Sequence, residues 1–494
     1  MGLGIFFNAT LGATGLTRSK FLLVLALASI GQAPHGQAQP AAPPSAADPM
    51  TLISNEHATV KARLDATVAG YAYTGTWFGL ASLNPANSFA GNRAWGEGWL
   101  NLGIEAVARL HTWVEAYAGV GVGASGTLGA DSYDQRNQGA ISLENAFAGL
   151  RTRNPASSWN IDVSSGQQDY GVGTGMLIWQ GAGNGFERGA GGLMPRLAWE
   201  NATVARVSYG GLSVDAFYLD PNELPSGNTH TRLAGGVAQY RWGEQSRVGL
   251  AGLHVLESDM FYPLPRDPAG IPGGRKGLDA LQGFAEIEGS NFGVKNAWLR
   301  GEFAIERNRR IDMAADAWYG EAGYRFVTLP LVPAISYAYA HFSGDNPSTA
   351  RYERFDPLYY GNGLNNWWFG ASSAYAFLNS NVDYHRVTLQ LVATPRDYLK
   401  VQYLRALADR LSSPIQFGQA TRPVVTPAGI ILTNGVANHH LDDEVYVEWA
   451  HVFNPHWTTA LWGSVAMPGQ GIRDLPNVNS ATWCAAGITL KVKY

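Results

Sequence analysis

TWCAAGITLKVKY, residues 482–494, decides how the chain is read. Counting back from Tyr494, every second residue is apolar: Val492, Leu490, Ile488, Ala486 and Cys484. Between them stand Lys493, Lys491, Thr489, Gly487 and Ala485, small or charged. Strict alternation makes a β-strand with one oily and one wet face. Two settings suit such a strand ending on an aromatic residue. One is the closing strand of a membrane barrel; the other is the edge of a soluble sheet, which usually carries a polar tail. The rest of the chain separates them.

Of 494 residues, charged side chains make up only 15%, while aromatics reach 12% with 16 tryptophans. Mean hydropathy is slightly negative, at -0.11. A β-barrel produces this combination, with an apolar lipid face, a polar lumen and aromatics at the two interfaces. A net charge of -4 gives no case for a nucleic-acid partner. The single cysteine, Cys484, excludes an intrachain disulfide and a cysteine-based zinc site. Its place in the apolar series points it at lipid. Arg18 and Lys20 precede an apolar run over residues 21–30, too short to span a bilayer, then small residues. This reads as a secretory signal peptide over residues 1–38, cleaved near Ala33 or Ala38. Residues 39–56 are Pro/Ala-rich at their start and are expected to be a disordered periplasmic lead-in to a barrel over 57–494.

From residue 57 onward, alternating segments separated by turn signals predict eighteen strands. They cover 57–80, 93–111, 112–123, 141–152, 158–167, 195–209, 212–220, 232–243, 246–257, 277–289, 294–307, 311–327, 331–344, 381–394, 397–409, 442–454, 457–468 and 480–494. Most approach the roughly 10 tilted residues that cross an outer membrane. The connections carry the stronger argument. Short turns are expected at His111-Thr112, Asn154-Pro155, Gly210-Gly211, Gly243 to Gln245, Ser290 to Gly293, Leu329-Pro330, Pro395-Arg396 and Asn454-Pro455. Between them fall long connections, notably 168–194, 258–276, 345–380 and 410–441. Short turns at one end and long loops at the other is the asymmetry of a bacterial barrel.

Individual strands separate two faces. Leu100, Leu102, Ile104, Ala106, Ala108 and Leu110 alternate with Asn101, Glu105 and Arg109; Leu299, Phe303 and Ile305 alternate with Arg300, Glu302 and Glu306. A charge facing lipid at mid-height costs about 2–4 kcal/mol, so the charged set belongs in the lumen. The segment 141–152 resists this reading, because Glu144 and Arg151 have opposite parity.

Motifs for chemistry are sparse. Gly121, Gly123 and Gly126 form a G-x-G-x-x-G, but no helix follows, and alternating glycines in a strand mark close backbone approach. His439-His440 lies in a long loop without a metal-ligand set around it. No G-x-S-x-G occurs; Ser464 and His451 fall on neighbouring strands, as an outer-membrane hydrolase would need of a Ser/His pair, but that coincidence is cheap in a chain with many serines. No catalytic residue, metal or cofactor is expected.

The stretch 164–200, SSGQQDYGVGTGMLIWQGAGNGFERGAGGLMPRLAWE, resembles the signature of the alginate-export family of outer-membrane porins, through Gly166, Gln168, Gly171, Gly173, Gly185 and Arg188. A second likeness is FDPLYYGNG, from Phe355 to Gly363, after a strand ending in Ser343 to Asp345. The resemblance implies an all-β, up-and-down transmembrane antiparallel barrel of about 18 strands in the Gram-negative outer membrane. Its terminal strand, 482–494, would be read by the barrel-insertion machinery and would lie against lipid. It also implies passive passage of alginate-like polysaccharide or oligomers, along a gradient or with periplasmic export components. Gln167 stands where the family carries the arginine of Gly-Arg-Gln. The expected lumen path comprises Arg109, Glu105, Arg196, Arg206, Arg241, Arg300, Glu302, Arg325, Arg386, Lys400, Gln167 and Arg188, with acids such as Glu115, Glu286, Glu321, Glu444 and Glu448 among the cations. Such a balanced set can also brace the wall by pairing. A porin for small sugars or organic acids is the nearer alternative, and an outer-membrane hydrolase the distant one. The Gly-rich segment 168–194 and the loop 345–380 are long enough to fold inward.

Overall fold

The computed structural model describes residues 50–83, 91–153, 158–182, 187–243, 245–264, 267–361, 367, 369–415, 424–426, 429–431, 435–475 and 479–494. The signal-peptide reading and Gly185 lie outside these residues. Eighteen strands form the wall. The first nine are β1 (Ala58–Thr74), β2 (Arg93–His111), β3 (Val114–Gly129), β4 (Gly139–Thr152), β5 (Trp159–Gln168), β6 (Trp199–Tyr209), β7 (Leu212–Asp220), β8 (Arg232–Trp242) and β9 (Ser246–Glu257). The others are β10 (Asp279–Glu288), β11 (Ala297–Asn308), β12 (Met313–Arg325), β13 (Ala334–Phe342), β14 (Val382–Thr394), β15 (Asp397–Leu407), β16 (His440–Asn454), β17 (Trp457–Pro468) and β18 (Trp483–Lys493). Each pairs antiparallel with its sequence neighbours, and β18 pairs with β1 from Asp65↔Lys493 to Thr74↔Cys484. The sheet therefore closes and leaves no long edge.

The N-terminal strand is longer than the C-terminal one, so closure leaves the first residues of β1 without a partner. Thr51–Ser54 fills that gap as a short extra strand opposite Lys61, Val60 and Thr59. This corrects the lead-in expected over 39–56: its last residues are sheet, because an unpaired barrel edge would leave backbone groups unmatched. Strand β1 also stops at Thr74 rather than at residue 80. Gly75 turns the chain at φ 62°, and Trp77 and Phe78 bury completely inside the barrel.

The alternation sorts as expected. Leu102, Ile104, Val122, Leu250, Phe303, Val387 and Ile488 are exposed on the outer wall, while Glu97, Asn101, Glu115, Glu302, Glu321 and Glu448 are buried inward. The parity conflict in 141–152 is a β-bulge. Gly121 pairs with Asn145 and Val122 with Leu143, so Glu144 is extra and both Glu144 and Asn145 turn inward. Beyond the bulge, Arg151 falls inward on the other parity. Aromatic pairs ring both ends of the outer wall. Trp159–Tyr209, Tyr240–Trp242 and Tyr324–Phe326 sit at the short turns; Trp318–Tyr339 and Tyr339–His385 sit toward the long loops. Outward charges such as Asp383, Arg405 and Asp443 stand at the long-loop ends of their strands, above the apolar belt.

Candidate functional site

Register brings the inward charges together. Along one arc, Arg109 lies opposite Glu115, Glu115 opposite Arg151, Arg151 opposite Asp162, Asp162 opposite Arg206 and Arg206 opposite Asp215. A second arc runs Arg247, Glu286, Arg300 and Glu321, each opposite the next, and reaches Arg386 across Ala338. Several of these contacts are short. Arg206 grips Asp215 at 2.6 and 2.7 Å, Arg151 Nε is 2.9 Å from Glu115, and Arg247 Nε is 2.5 Å from Glu286. Arg300 and Arg386 flank Glu321 at 3.9 and 3.7 Å, and Tyr319 donates its hydroxyl to the same carboxylate. Lys400 pairs with Glu448 at 2.6 Å. Opposite charges on adjacent strands contribute about 0.2–1 kcal/mol each, so these arcs brace the wall as well as wetting it.

The second arc borders a cavity of about 940 Å³. It reaches from residues near the short turns, among them Lys295, Val327 and Tyr398, up to residues 171–174 and Trp179, which roof it. Its cations are Arg206, Arg241, Arg247, Lys295, Arg300, Arg325, Arg386 and Lys400; its carboxylates are Asp215, Glu286, Glu288, Glu321 and Glu448. Among the described residues, no carboxylate lies within ion-pair distance of Arg241, Lys295 or Arg325, whereas Arg206, Arg247, Arg300, Arg386 and Lys400 each have one. Arg241 also stands opposite Arg247 across the strand pair. Glu288, the last residue of β10, likewise has no ion pair among the described residues, so the unpaired groups toward the short-turn, periplasmic end are three cations and one carboxylate.

The roof belongs to two long loops folded into the barrel. In the first, over 169–198, Val172, Met176, Leu177 and Ile178 are buried. In the second, over 343–381, so are Phe355, Trp367, Phe369 and Phe377. Four wall glutamates hold them. Glu97 accepts the N–H groups of Gly192 and Leu193 at 2.9 and 2.8 Å. Glu302 accepts the Thr174 N–H at 3.3 Å and also its hydroxyl. Glu306 accepts the Asp356 N–H at 2.9 Å. Glu444 accepts the N–H groups of Ala371, Ser372 and Ser373 at 2.7, 3.1 and 3.0 Å. A third loop, between β9 and β10, is tied in by Arg275, which binds Asp356 through two contacts of 2.7 and 2.8 Å. Burial works against ionisation of Asp356. The charge and hydrogen bonds of Arg275, with the Tyr262 hydroxyl and the Leu358 N–H, outweigh it and hold the carboxyl below the usual aspartate range.

Of the residues expected to line the path, Arg206, Arg241, Arg300, Arg325, Arg386 and Lys400 border the cavity. Arg109 lies at the periplasmic rim, donating to the Glu56 carbonyl at 3.1 Å, and Glu105 pairs with Arg63 at 3.3 Å. Glu302 is a loop anchor. Arg196 is buried within the first inward loop, 3.2 Å from Glu144 and stacked over Trp99; Arg188 bonds Asn222 at 3.0 Å. Gln167 pairs with Ala146 on the outward column, and its amide donates to the Leu143 carbonyl at 2.8 Å. The departure from Gly-Arg-Gln therefore falls outside the cavity lining. Arg151, whose parity left its face undecided in the sequence, completes the network with Asp162, Asp215, Arg247 and Arg275, which the sequence did not single out, since only register or loop packing reveals their partners.

The other chemistry-bearing groups are accounted for by ordinary pairing. Gly123 lets Trp99 lie flat against the wall, where a Cβ would approach the ring to 2.1 Å. Ser464 lies opposite Tyr446, faces inward and donates to Glu444; His451 lies opposite Thr459 and pairs with Asp397 at 2.8 Å. The two do not meet. His439 bonds the Ala408 carbonyl, and His440 pairs with Asp443. Among the described residues, His341, Asp383 and Asp409 have spacing a metal could use. They sit at the outer rim, with His341 bonded to Asp383 at 2.7 Å and Asp409 accepting the Gly344 N–H at 2.8 Å.

Residues 269–485 match the family model described as alginate export. No curated protein matches the chain. Among solved structures, Pseudomonas aeruginosa OccK11 (OpdR) aligns over 88% of this chain and 95% of its own at 11% identity, with a TM-score of 0.50. Pseudomonas aeruginosa OccK5 (OpdH) covers 88% and 98% at 9% identity, TM-score 0.48, and Salmonella typhi OmpF, in complex with daunomycin, 90% and 100% at 12%, TM-score 0.40. At such identities the likeness is one of fold. With its closed wall, apolar outer belt, aromatic rings and wet interior, the chain is an outer-membrane β-barrel channel of eighteen strands whose residues 269–485 match the alginate-export family.

Proposed function

We propose that the barrel passively conducts a hydrophilic, anionic saccharide, an alginate-like polysaccharide or its oligomers, through the charged lumen. The observation that carries this reading is the uneven charge of the cavity. Among the described residues, Arg241, Lys295 and Arg325 have no carboxylate partner toward the periplasm, where Glu288 is the one unpaired carboxylate, while the other cavity cations are paired. Fixed charges in a low-dielectric channel set selectivity and raise the local concentration of counter-charged solute. This excess of cations over carboxylate facing an aqueous mouth would draw carboxylated sugars inward, and the matched arcs would pass them without trapping them. The alginate-export match over residues 269–485 supports the same class.

A small-solute porin is the second reading, favoured by the roof over the cavity, which leaves room for a compact solute. One experiment separates them. Uronate oligomers added on the periplasmic side of a planar bilayer should block the ion current, with block deepening as the oligomer lengthens. Neutral glucan oligomers of equal length should block less. Equal block by both would overturn the anionic-saccharide reading.

A further inference from the structure

We propose that Trp298 is a stacking platform for a pyranose ring at the periplasmic mouth of the cavity, with Arg325 and Lys295 taking the sugar's carboxylate. The wall beneath it sets the indole flat. Trp298 is on the inward face of β11 and lies opposite Gly323 on β12. A Cβ at Gly323 would stand 2.1 Å from Trp298 Cζ2, so the glycine is what lets the ring rest against the strand. The indole N–H donates to Glu321 at 3.3 Å, which fixes the ring's edge. Half-buried, Trp298 borders the cavity with its other face.

Elsewhere on the inner wall, rings laid on glycine are capped. Trp99 rests on Gly123 beneath Arg196, Tyr117 on Gly149 beneath Arg151, and Phe284 on Gly249 beneath Arg247. In each, a guanidinium covers the face turned to the lumen. Among the described residues, no cation and no second ring caps Trp298. Its surroundings suit an acidic sugar. Arg325 is the next inward residue after Gly323, Lys295 precedes β11, and Glu288 is the cross-strand partner of Trp298; all three border the cavity. An aromatic face is electron-rich, and a pyranose offers such a face its C–H groups while its hydroxyls and carboxylate project from the ring edge. The carboxylate would meet Arg325 or Lys295. A sugar hydroxyl would donate to Glu288, whose ionised oxygens can only accept.

This inference rests on the saccharide reading above and adds where the sugar ring sits. Block of the ion current in a planar bilayer tests it, with uronate and neutral glucan oligomers of equal length added on the periplasmic side. Stacking does not read charge. Trp298→Leu should therefore weaken block by each oligomer that blocks by the same factor, about fivefold for one lost aromatic contact. Trp298→Phe should keep most of the block. Gly323→Ala keeps the tryptophan but pushes its ring off the wall, and block should fall as in Trp298→Leu; this variant decides the matter if the leucine barrel fails to insert. Arg325→Gln should weaken block by uronates alone. Unchanged block in Trp298→Leu or in Gly323→Ala would overturn the platform, as would a phenylalanine variant as weak as the leucine one. Equal losses for both oligomers in Arg325→Gln would overturn its part in the site. Equal block by the two oligomers in the unaltered barrel would count against the anionic reading alone, because the losses at Trp298 would remain.

Discussion

Deleting residues 172–190 is expected to raise single-channel conductance several-fold in planar bilayers. These residues supply most of the roof at 171–174 and Trp179, together with the buried series Val172, Met176, Leu177 and Ile178. Barrel diameter grows with strand number, and an eighteen-stranded wall encloses an aqueous channel unless something fills it. Here the fill is loop, attached at Glu302 and stitched to the second loop at Tyr359. The wall does not depend on the deleted segment, because β5 and β6 pair with each other from Trp159↔Tyr209 to Gln168↔Trp199. Retained heat-modifiable migration on gels would confirm an intact barrel. Unchanged conductance in an intact barrel would retire the roof as an obstruction.

Glu321→Gln is expected to move the reversal potential in a salt gradient clearly toward anions. Glu321 is the one carboxylate between Arg300 and Arg386, and all three border the cavity. The substitution keeps shape and an acceptor for the Tyr319 hydroxyl while removing the charge that screens two guanidiniums. Rings and clusters of fixed charge decide which ions a pore prefers. Arg386→Gln should shift the potential the other way, since it leaves Glu321 matched by Arg300 alone. A change at Glu105, paired with Arg63 outside the cavity lining, should shift it much less. No difference among the three would show that the second arc lies off the conducting path.

The period-two pattern made the wall legible. Leu100, Leu102 and Ile104 against Asn101 and Glu105 fixed both the strand and its faces, and the short turns placed every strand in order. Failures came where geometry departs from a regular strand. A bulge at Glu144 breaks parity without any glycine or proline to announce it. The continuation of β1 past Thr74 read as strand because Trp77 and Phe78 are good strand residues; their burial inside the barrel depends on Tyr133, Tyr375, Phe377 and Trp483, distant in sequence. The charged arcs were invisible for a related reason. Arg151 and Asp162 were present as residues, but their pairing follows from the β4–β5 register, which turn signals locate only to within a residue or two. The loop anchors needed still more. Nothing local ties Glu444 to Ser372, seventy-two residues away, and the inward course of both loops was expected only from their length.

If the lumen is the route, Arg300 is part of its surface. In a Cys484→Ser background, Arg300→Cys places a thiol on the inward face of β11, and Leu299→Cys places one on the outward face next to it. Ion current is recorded while a charged, membrane-impermeant thiol reagent is applied from the periplasmic side. Current through the R300C channel should change step-wise and recover on reduction, while the L299C channel should stay unaffected. Equal response at both positions, or none at position 300 in an open channel, would contradict it.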